Sequence, residues 1–158
     1  MSAKATSVVG VISDTHGLVR PEALAALVGS RLILHAGDIG NARVIEELRA
    51  IAPVVAVRAN NDRGEWAEEF AETEVVEVAG AFVYVLHDLN ELDLSPKAAG
   101  FRVVVSGHSH KPSIEERAGV LYLNPGSAGP RRFKLPVSVA RLTFDGEEAH
   151  ARIVELSV

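Results

Sequence analysis

Cysteine is absent from the 158-residue chain. That excludes a disulfide framework and any thiolate-held zinc, so a bound metal would draw its ligands from His, Asp, Glu and Asn. Aromatic residues are also scarce, at 5% of the chain, and no loop reads as a base-stacking or sugar-binding run. No apolar stretch approaches the roughly 20 residues that span a bilayer. Met1 to Ser7 has no hydrophobic signal core, so a cytoplasmic protein with no membrane partner is expected. Positive charge is in deficit, 16 Lys and Arg against 21 Asp and Glu, for a net charge of −5. Six glutamates (65, 68, 69, 72, 74 and 77) cluster between Glu65 and Glu77. They read first as a solvated acidic face, and such a face repels a nucleic-acid backbone, so long polyanions are not expected partners.

What is present is an ordinary globular composition, 47% hydrophobic and 23% charged. A chain this long buries roughly two-thirds of its unfolded surface, and no repeat or linker interrupts it, so residues 1–158 are expected to form one domain. Ser7 to Ser13 is a β-branched strand. Pro21 opens a helix through Leu27 and Val28 that Gly29 ends. Leu32 to Leu34 is a second strand, Asn41 caps a helix through Val44, Ile45, Leu48 and Ile51, and Val54 to Val57 is a third strand. This βαβαβ pattern implies parallel strands with right-handed crossovers. The second half turns β-rich: Val75 to Val78 and Phe82 to Leu86 read as a hairpin around Ala79-Gly80. A short helix follows near Ser95 to Ala99. Further strands are expected at Val103 to Val105, Ile114 to Arg117, Val120 to Leu123, Val137 to Leu142 and Ala149 to Leu156. The sum is an α/β fold, two sheets packed face to face with helices outside at least one.

Polar residues gather at the strand ends. Asp14 and His16 follow the first strand, Asp38 the second, Asn60 the third, His87 the Phe82–Leu86 strand, and His108 and His110 the Val103–Val105 strand. That edge is where open α/β sheets bind ligands. Each piece has a bland alternative: Asp-x-His as a plain loop, Gly37-Asp38 as a turn, Asn60 as a cap, His87 as a hydrogen-bonded core histidine. The joint coincidence at one edge favours a metal site. His35 reads as a buried, hydrogen-bonded strand residue and His150 as structural or exposed. Arg131, Arg132 and Lys134 read first as a solvated basic loop and second as contacts for a substrate anion. Asn124 and Ser127 read as loop-shaping residues.

In order, Asp14-Thr15-His16, Gly37-Asp38, Ala59-Asn60-Asn61-Asp62, His87 and Gly107-His108-Ser109-His110 resemble the motifs of the calcineurin-like metallophosphoesterases, in their small prokaryotic phosphodiesterase branch. Asn124-Pro125-Gly126-Ser127 is similar to that branch's downstream loop. The resemblance runs from about Val8 to Leu142. It implies a four-layer α-β-β-α sandwich in which two β-sheets are flanked by helices. It also implies two divalent transition-metal ions, manganese first and nickel, iron, zinc or cobalt as alternatives. Asp14, His16 and His110 would hold one, Asp38 would bridge, and Asn60, His87 and His108 would complete the second. The implied activity is hydrolysis of a small phosphate ester, most simply a diester, by metal-activated water. A homo-oligomer is compatible with this family.

Two positions depart from the pattern. Asn61 stands where many relatives carry a histidine. It can orient substrate by donating to a phosphate oxygen, but it cannot act as a general acid. Esters with good leaving groups, or protonation by water, are therefore expected. Asp88 replaces a frequent glycine and is expected, with Asp62, to support the ligands from behind: by orienting His87, by adding negative charge, or by facing solvent. Ala59 for the usual glycine is tolerable if its backbone needs no positive φ. The rival expectation is a protein-binding scaffold on the same fold, the role of the small retromer subunit, which resembles this family in architecture. All seven candidate ligand positions are filled here, which favours catalysis.

Overall fold

The computed structural model describes residues 7–146 and 148–158. Six strands are foreseen closely by pattern: β1 (Ser7–Ile12), β2 (Leu32–His35), β3 (Val54–Ala56), β4 (Thr73–Val78), β5 (Ala81–Leu86) and β6 (Phe101–Val105). They are followed by β7 (Ser113–Arg117), β8 (Val120–Asn124), β9 (Ser138–Asp145) and β10 (Glu148–Glu155). The helices are α1 (Pro21–Leu27), α2 (Ala42–Arg49) and the single turn α3 (Pro96–Ala99). The Asn41 side chain accepts from the Val44 amide and caps α2. That helix stops two residues short of Ile51, where the amides of Ile51 and Ala52 both fold back on the Leu48 carbonyl. Pro53, just beyond, disfavours helical backbone before it. The hairpin turn at Ala79-Gly80 has φ of 52° and 83°, the doubly left-handed geometry of a tight β-turn between twisted strands.

The strands form two mixed five-stranded sheets, in the orders β10-β9-β1-β2-β3 and β4-β5-β6-β8-β7. In the first, β1, β2 and β3 run parallel and β9 pairs antiparallel with β1. The last hairpin of the chain thus returns to the sheet that began it. In the second, β5, β6 and β8 are parallel, and β4 and β7 close its two edges antiparallel.

Alternation along the strands sorts side chains into three apolar layers. Val9, Val11 and Leu34 from one sheet meet Val83, Val85, Val103 and Val105 from the other, with Phe144 fully buried between them. With so few aromatics, this seam is built chiefly from β-branched residues, which suit a pleated surface packed on both sides. Ile12 and Ile33 on the opposite face pack under Leu27, Val44, Ile45 and Leu48 of α1 and α2. Across the molecule, Tyr84, Leu86 and Val104 pack with Val120 under Phe101, Tyr122, and Leu89 and Leu92 of the 3₁₀ turn (Leu89–Glu91) and its end. The outer layers are therefore unequal, two helices on one side and little more than two turns on the other. None of the described helices is long and apolar enough to cross a membrane. The acidic stretch includes a 3₁₀ helix (Glu65–Glu69) and reaches the edge strand β4, where Glu77 is solvent-exposed and Glu74 half-buried.

Replacing Phe144 by alanine removes the largest side chain of the seam between the sheets. We expect Phe144→Ala to lower unfolding free energy by about 3–5 kcal/mol, read as a shifted urea midpoint at unchanged slope.

Candidate metal centre

The carboxyl ends of β1, β2, β5 and β6 meet at one edge of the sandwich, where pairing continues beyond the strands. The Asp14 amide donates to the Gly37 carbonyl at 3.0 Å, that of His16 to Asp38 at 2.9 Å and that of Gly17 to Ile39 at 2.8 Å. These bonds hold two loops in unusual backbone. Asp14, His16, Asp38, His108 and His110 all have positive φ (55°, 48°, 54°, 72° and 63°), a conformation that costs an L-residue roughly 1–2 kcal/mol. Only three other non-glycine residues among those described share it. Strain of this kind persists where surrounding contacts over-determine it, and it gathers at functional sites.

The surrounding contacts are specific. The Gly37 amide donates to His35 Nδ1 at 3.1 Å, so His35 Nε2 carries the proton and donates to Thr15 Oγ1 at 3.0 Å. Thr15 Oγ1 in turn donates to the Ile39 carbonyl at 2.7 Å. Complete burial, reinforced by the charge of His87, pushes the His35 pKa down to about 3, so this link stays neutral and intact. Asp62 accepts from the amides of Ile39, Gly40 and Ala59, tying the loop after β3 to the loop after β2. Ala59 is not in positive φ, so its side chain is no obstacle. Asn124 donates to the Gly107 carbonyl and to Ser109 Oγ, while Ser127 donates to the Asp14 carbonyl; both act as splints between loops. Gly107 is needed for space, not for a sharp turn: its φ is not positive, and a Cβ there would lie 2.6 Å from Asp14 Oδ2.

Inside this frame, Asp14 Oδ2 accepts from Ser13 Oγ at 2.7 Å and from the His108 amide at 3.1 Å. Its Oδ1, like Oδ1 of Asp38, is buried with no hydrogen-bond partner. Asp14 Oδ1 lies 4.0 Å from Nε2 of His16, 3.9 Å from that of His87 and 3.4 Å from that of His110. Asp38 Oδ2 lies 3.7 Å from His16 Nε2 and 3.3 Å from His87 Nε2. His16 and His110 point Nε2 at each other at 3.5 Å. The orphaned Asp14 Oδ1 and the Asp38 Oδ2 face converging imidazole nitrogens and form a donor set for a divalent transition ion, so the residues fit the metals the motifs imply. Two compact groups result, Asp14–His16–His110 and Asp14–Asp38–His87. Asp14 belongs to both, and Asp38 Oδ2 also reaches a histidine of each.

The remaining expected residues lie further out. Asn60, Asn61 and His108 line a cleft of about 680 Å³ whose floor includes Asp38, His87 and His110. His108 lies outside both compact groups, its side chain 56% exposed. Asp88 is not the partner of His87, whose Nδ1 donates to the Ala36 carbonyl at 2.7 Å. It faces His108 instead, with 3.8 Å between Oδ2 and Nε2. Arg132 lines the cleft and so does Arg58, which sequence reading passed over because nothing in its neighbours distinguishes it from a surface arginine. His150 is exposed beside Glu148.

Electrostatics follow from crowding. Burial pushes the Asp14 carboxyl up, against the Ser13 hydrogen bond and the charges of His87 and His110. Burial alone would also raise Asp38, but the hydrogen bond from His87 and the charges of His87 and His16 outweigh it and hold it at about 2. Burial alone would lower His87; its hydrogen bond to Asp38, then Asp14, the Ala36 carbonyl and the Asp38 charge, lift it to about 9. His110 is pushed down by burial despite Asp14. A metal held by His87 would have to displace that residue's proton. Because the pKa is raised, competition is strongest at low pH and fades towards pH 9. Apparent metal affinity should therefore climb by up to about tenfold per pH unit through neutrality and level off near pH 9, with proton release visible as buffer-dependent heat in calorimetry.

A family model described as the calcineurin-like phosphoesterase superfamily domain matches residues 8–147. The chain is 37% identical to a probable metallophosphoesterase of Methanothermobacter thermautotrophicus, with 92% of this chain and 91% of that protein covered. It is 28% identical to a protein of Methanocaldococcus jannaschii named as a phosphodiesterase, covering 75% of this chain and 82% of the relative. Among solved structures, Entamoeba histolytica Vps29 complexed with zinc aligns at a TM-score of 0.71 and 21% identity, over 94% of this chain and 98% of that one. With these motifs set at one sheet edge and this match spanning nearly its whole length, the chain belongs to the calcineurin-like phosphoesterase superfamily.

Proposed function

We propose that this protein is a dinuclear-metal phosphodiesterase that hydrolyses small phosphate esters. The observation that carries the reading is the convergence of Asp14 Oδ1, buried and unpartnered, and of Asp38 Oδ2 on the Nε2 atoms of His16, His87 and His110, beside an open cleft that Asp38, His87 and His110 line. The ligands are Asp14, His16, Asp38, Asn60, His87, His108 and His110. Mixed nitrogen and oxygen donors suit manganese, with nickel, iron, zinc or cobalt as competitors. Bound ions supply Lewis acidity and an activated water nucleophile; everything else falls to side chains of this chain.

Two buried carboxylates leave room for net positive charge once two dications are present, which attracts a phosphate oxyanion. Arg58 and Arg132 add cationic walls, whereas Glu72, Asp88, Glu91 and Asp93 line the same cleft and oppose an extended polyanion. The cleft, at about 680 Å³, has the capacity of a small-molecule site. Asn61 donates a hydrogen bond to a phosphate oxygen and orients the ester. It holds no proton to give the departing alcohol, so water protonates it, and esters with acidic leaving groups react fastest. The phosphodiesterase name of the Methanocaldococcus relative supports a diester preference.

The test crosses several divalent ions with mono- and diesters, including aryl and cyclic nucleotide substrates. Manganese-loaded protein should cleave aryl diesters best, and Asp38→Asn should abolish turnover. No hydrolysis with any ion, and no effect of Asp38→Asn, would leave the alternative standing: a binding module on the same fold, to which the likeness to Vps29 also points. Asn61→His should raise turnover of alkyl esters selectively, by up to the roughly 10²–10⁴-fold that acid catalysis supplies, while aryl esters gain little. Equal gains for both classes would overturn the role given to Asn61.

A further inference from the structure

The unusual feature of the outer half of the site is the direction in which His108 points. His16 and His110 turn Nε2 toward Asp14, and His87 turns Nε2 toward Asp38 and Asp14. His87 is fixed in that sense because its other nitrogen, Nδ1, donates to the Ala36 carbonyl. His108 differs. Its Nε2 faces Asp88 Oδ2 at 3.8 Å, and its ring meets that of His87 edge-on with centroids 5.3 Å apart. With Nε2 turned to a carboxylate, the nitrogen left for the ion on the His87 side is Nδ1.

Asp88 is itself held. Its Oδ1 accepts from the Asn90 amide at 3.0 Å, capping the 3₁₀ turn Leu89–Glu91. One oxygen of this carboxylate therefore anchors it to the loop while the other remains free for His108. The backbone of His108 is anchored too, through its amide bond to Asp14 Oδ2 and its left-handed φ of 72°. Only the side-chain torsions of His108 remain free, in a ring more than half exposed. An exposed ligand with free torsions binds weakly, because ordering it costs entropy when the ion arrives.

We propose that Asp88 is a positioning residue for the second metal: it forms a carboxylate–histidine–metal relay in which Asp88 accepts from His108 Nε2–H and His108 binds through Nδ1. The inference rests on the dinuclear reading of the site and adds to it an orienting group for its least ordered ligand. At 3.8 Å the two atoms are already within reach of a hydrogen bond after a small rotation of the free His108 side chain. The relay fixes the tautomer, raises the basicity of Nδ1, and contributes a negative charge beside a dication. The two metal positions then differ. The one built on Asp14, His16 and His110 is assembled in the folded chain, whereas the one that uses His108 depends on a loop carboxylate outside the compact groups.

The test compares wild type, Asp88→Asn and Asp88→Ala in metal binding, apart from turnover. Calorimetry with manganese should give two binding events in the wild type. Asp88→Asn keeps a side-chain oxygen for the Asn90 amide and removes the charge; Asp88→Ala removes both. Each should weaken the second event by about 10–100-fold, the usual range for loss of a group that orients a metal-bound histidine, and leave the first unchanged. In the zinc-loaded wild type, long-range ¹H–¹⁵N spectra should show His108 protonated at Nε2 and bound at Nδ1. Two wild-type binding events in Asp88→Ala, or zinc on His108 Nε2, would overturn the proposal. Hydrolysis is scored separately: an inactive wild type whose second metal still depends on Asp88 refutes the phosphodiesterase reading alone. An active wild type with no such dependence refutes the relay alone.

Discussion

Asp14 and Asp38 sit buried with an oxygen each that no protein donor satisfies, and the rest of the site is arranged around that fact. An unsatisfied buried polar atom costs roughly 1–3 kcal/mol. Five left-handed residues of the candidate site add about 1–2 kcal/mol apiece, against a total stability of about 5–15 kcal/mol for a domain. A fold carries such a load only when other contacts over-determine the strained segment and when a bound partner recovers part of it. A cation between Asp14 Oδ1 and the facing imidazoles would supply an interaction that this oxygen lacks, which would link metal uptake to stability as well as to chemistry.

The frame that bears the load is mostly neutral. His35 is kept uncharged by burial and clasps Thr15 and Gly37. Asp62 gathers three amides from two loops. Asn124 and Ser127 reach from the far end of the chain to the loops of His108 and Asp14. None of these residues needs to touch substrate. Their work is to keep two carboxylates and three imidazoles converging when mutual repulsion and strained backbone favour spreading. The outer rim is looser: Asn60, Asn61 and His108 are exposed there, and that is where specificity can vary without disturbing the frame.

Much of the fold was legible because each layer has a simple period. Short β-branched and apolar runs placed β1, β5 and β6, and the 3.6-residue pattern with Asn41 placed α2. The end of α2 was misjudged by two residues, because Ile51 fits the apolar face while the backbone is already unwinding towards Pro53. The return of β9 and β10 to the first sheet was not legible. A strand's pattern says that one face is buried, not which neighbour covers its edge. Arg58 and the true neighbour of Asp88 were likewise hidden, since side-chain direction on a loop depends on the backbone path around it.

The sequence by itself determined which chemistry is available. With no cysteine, six histidines and acidic or amide residues after successive strands, it set nitrogen and oxygen donors of a kind that suits a metal at a sheet edge, because strand ends are local features that pattern can place. Only the tertiary structure decided how that set divides: Asp14 common to two compact groups, His87 locked by the Ala36 carbonyl, His108 standing apart and turned toward Asp88. These are distances between residues as far apart in sequence as Asp14 and His110, set by how two sheets pack and how strained loops are held. No local pattern encodes them.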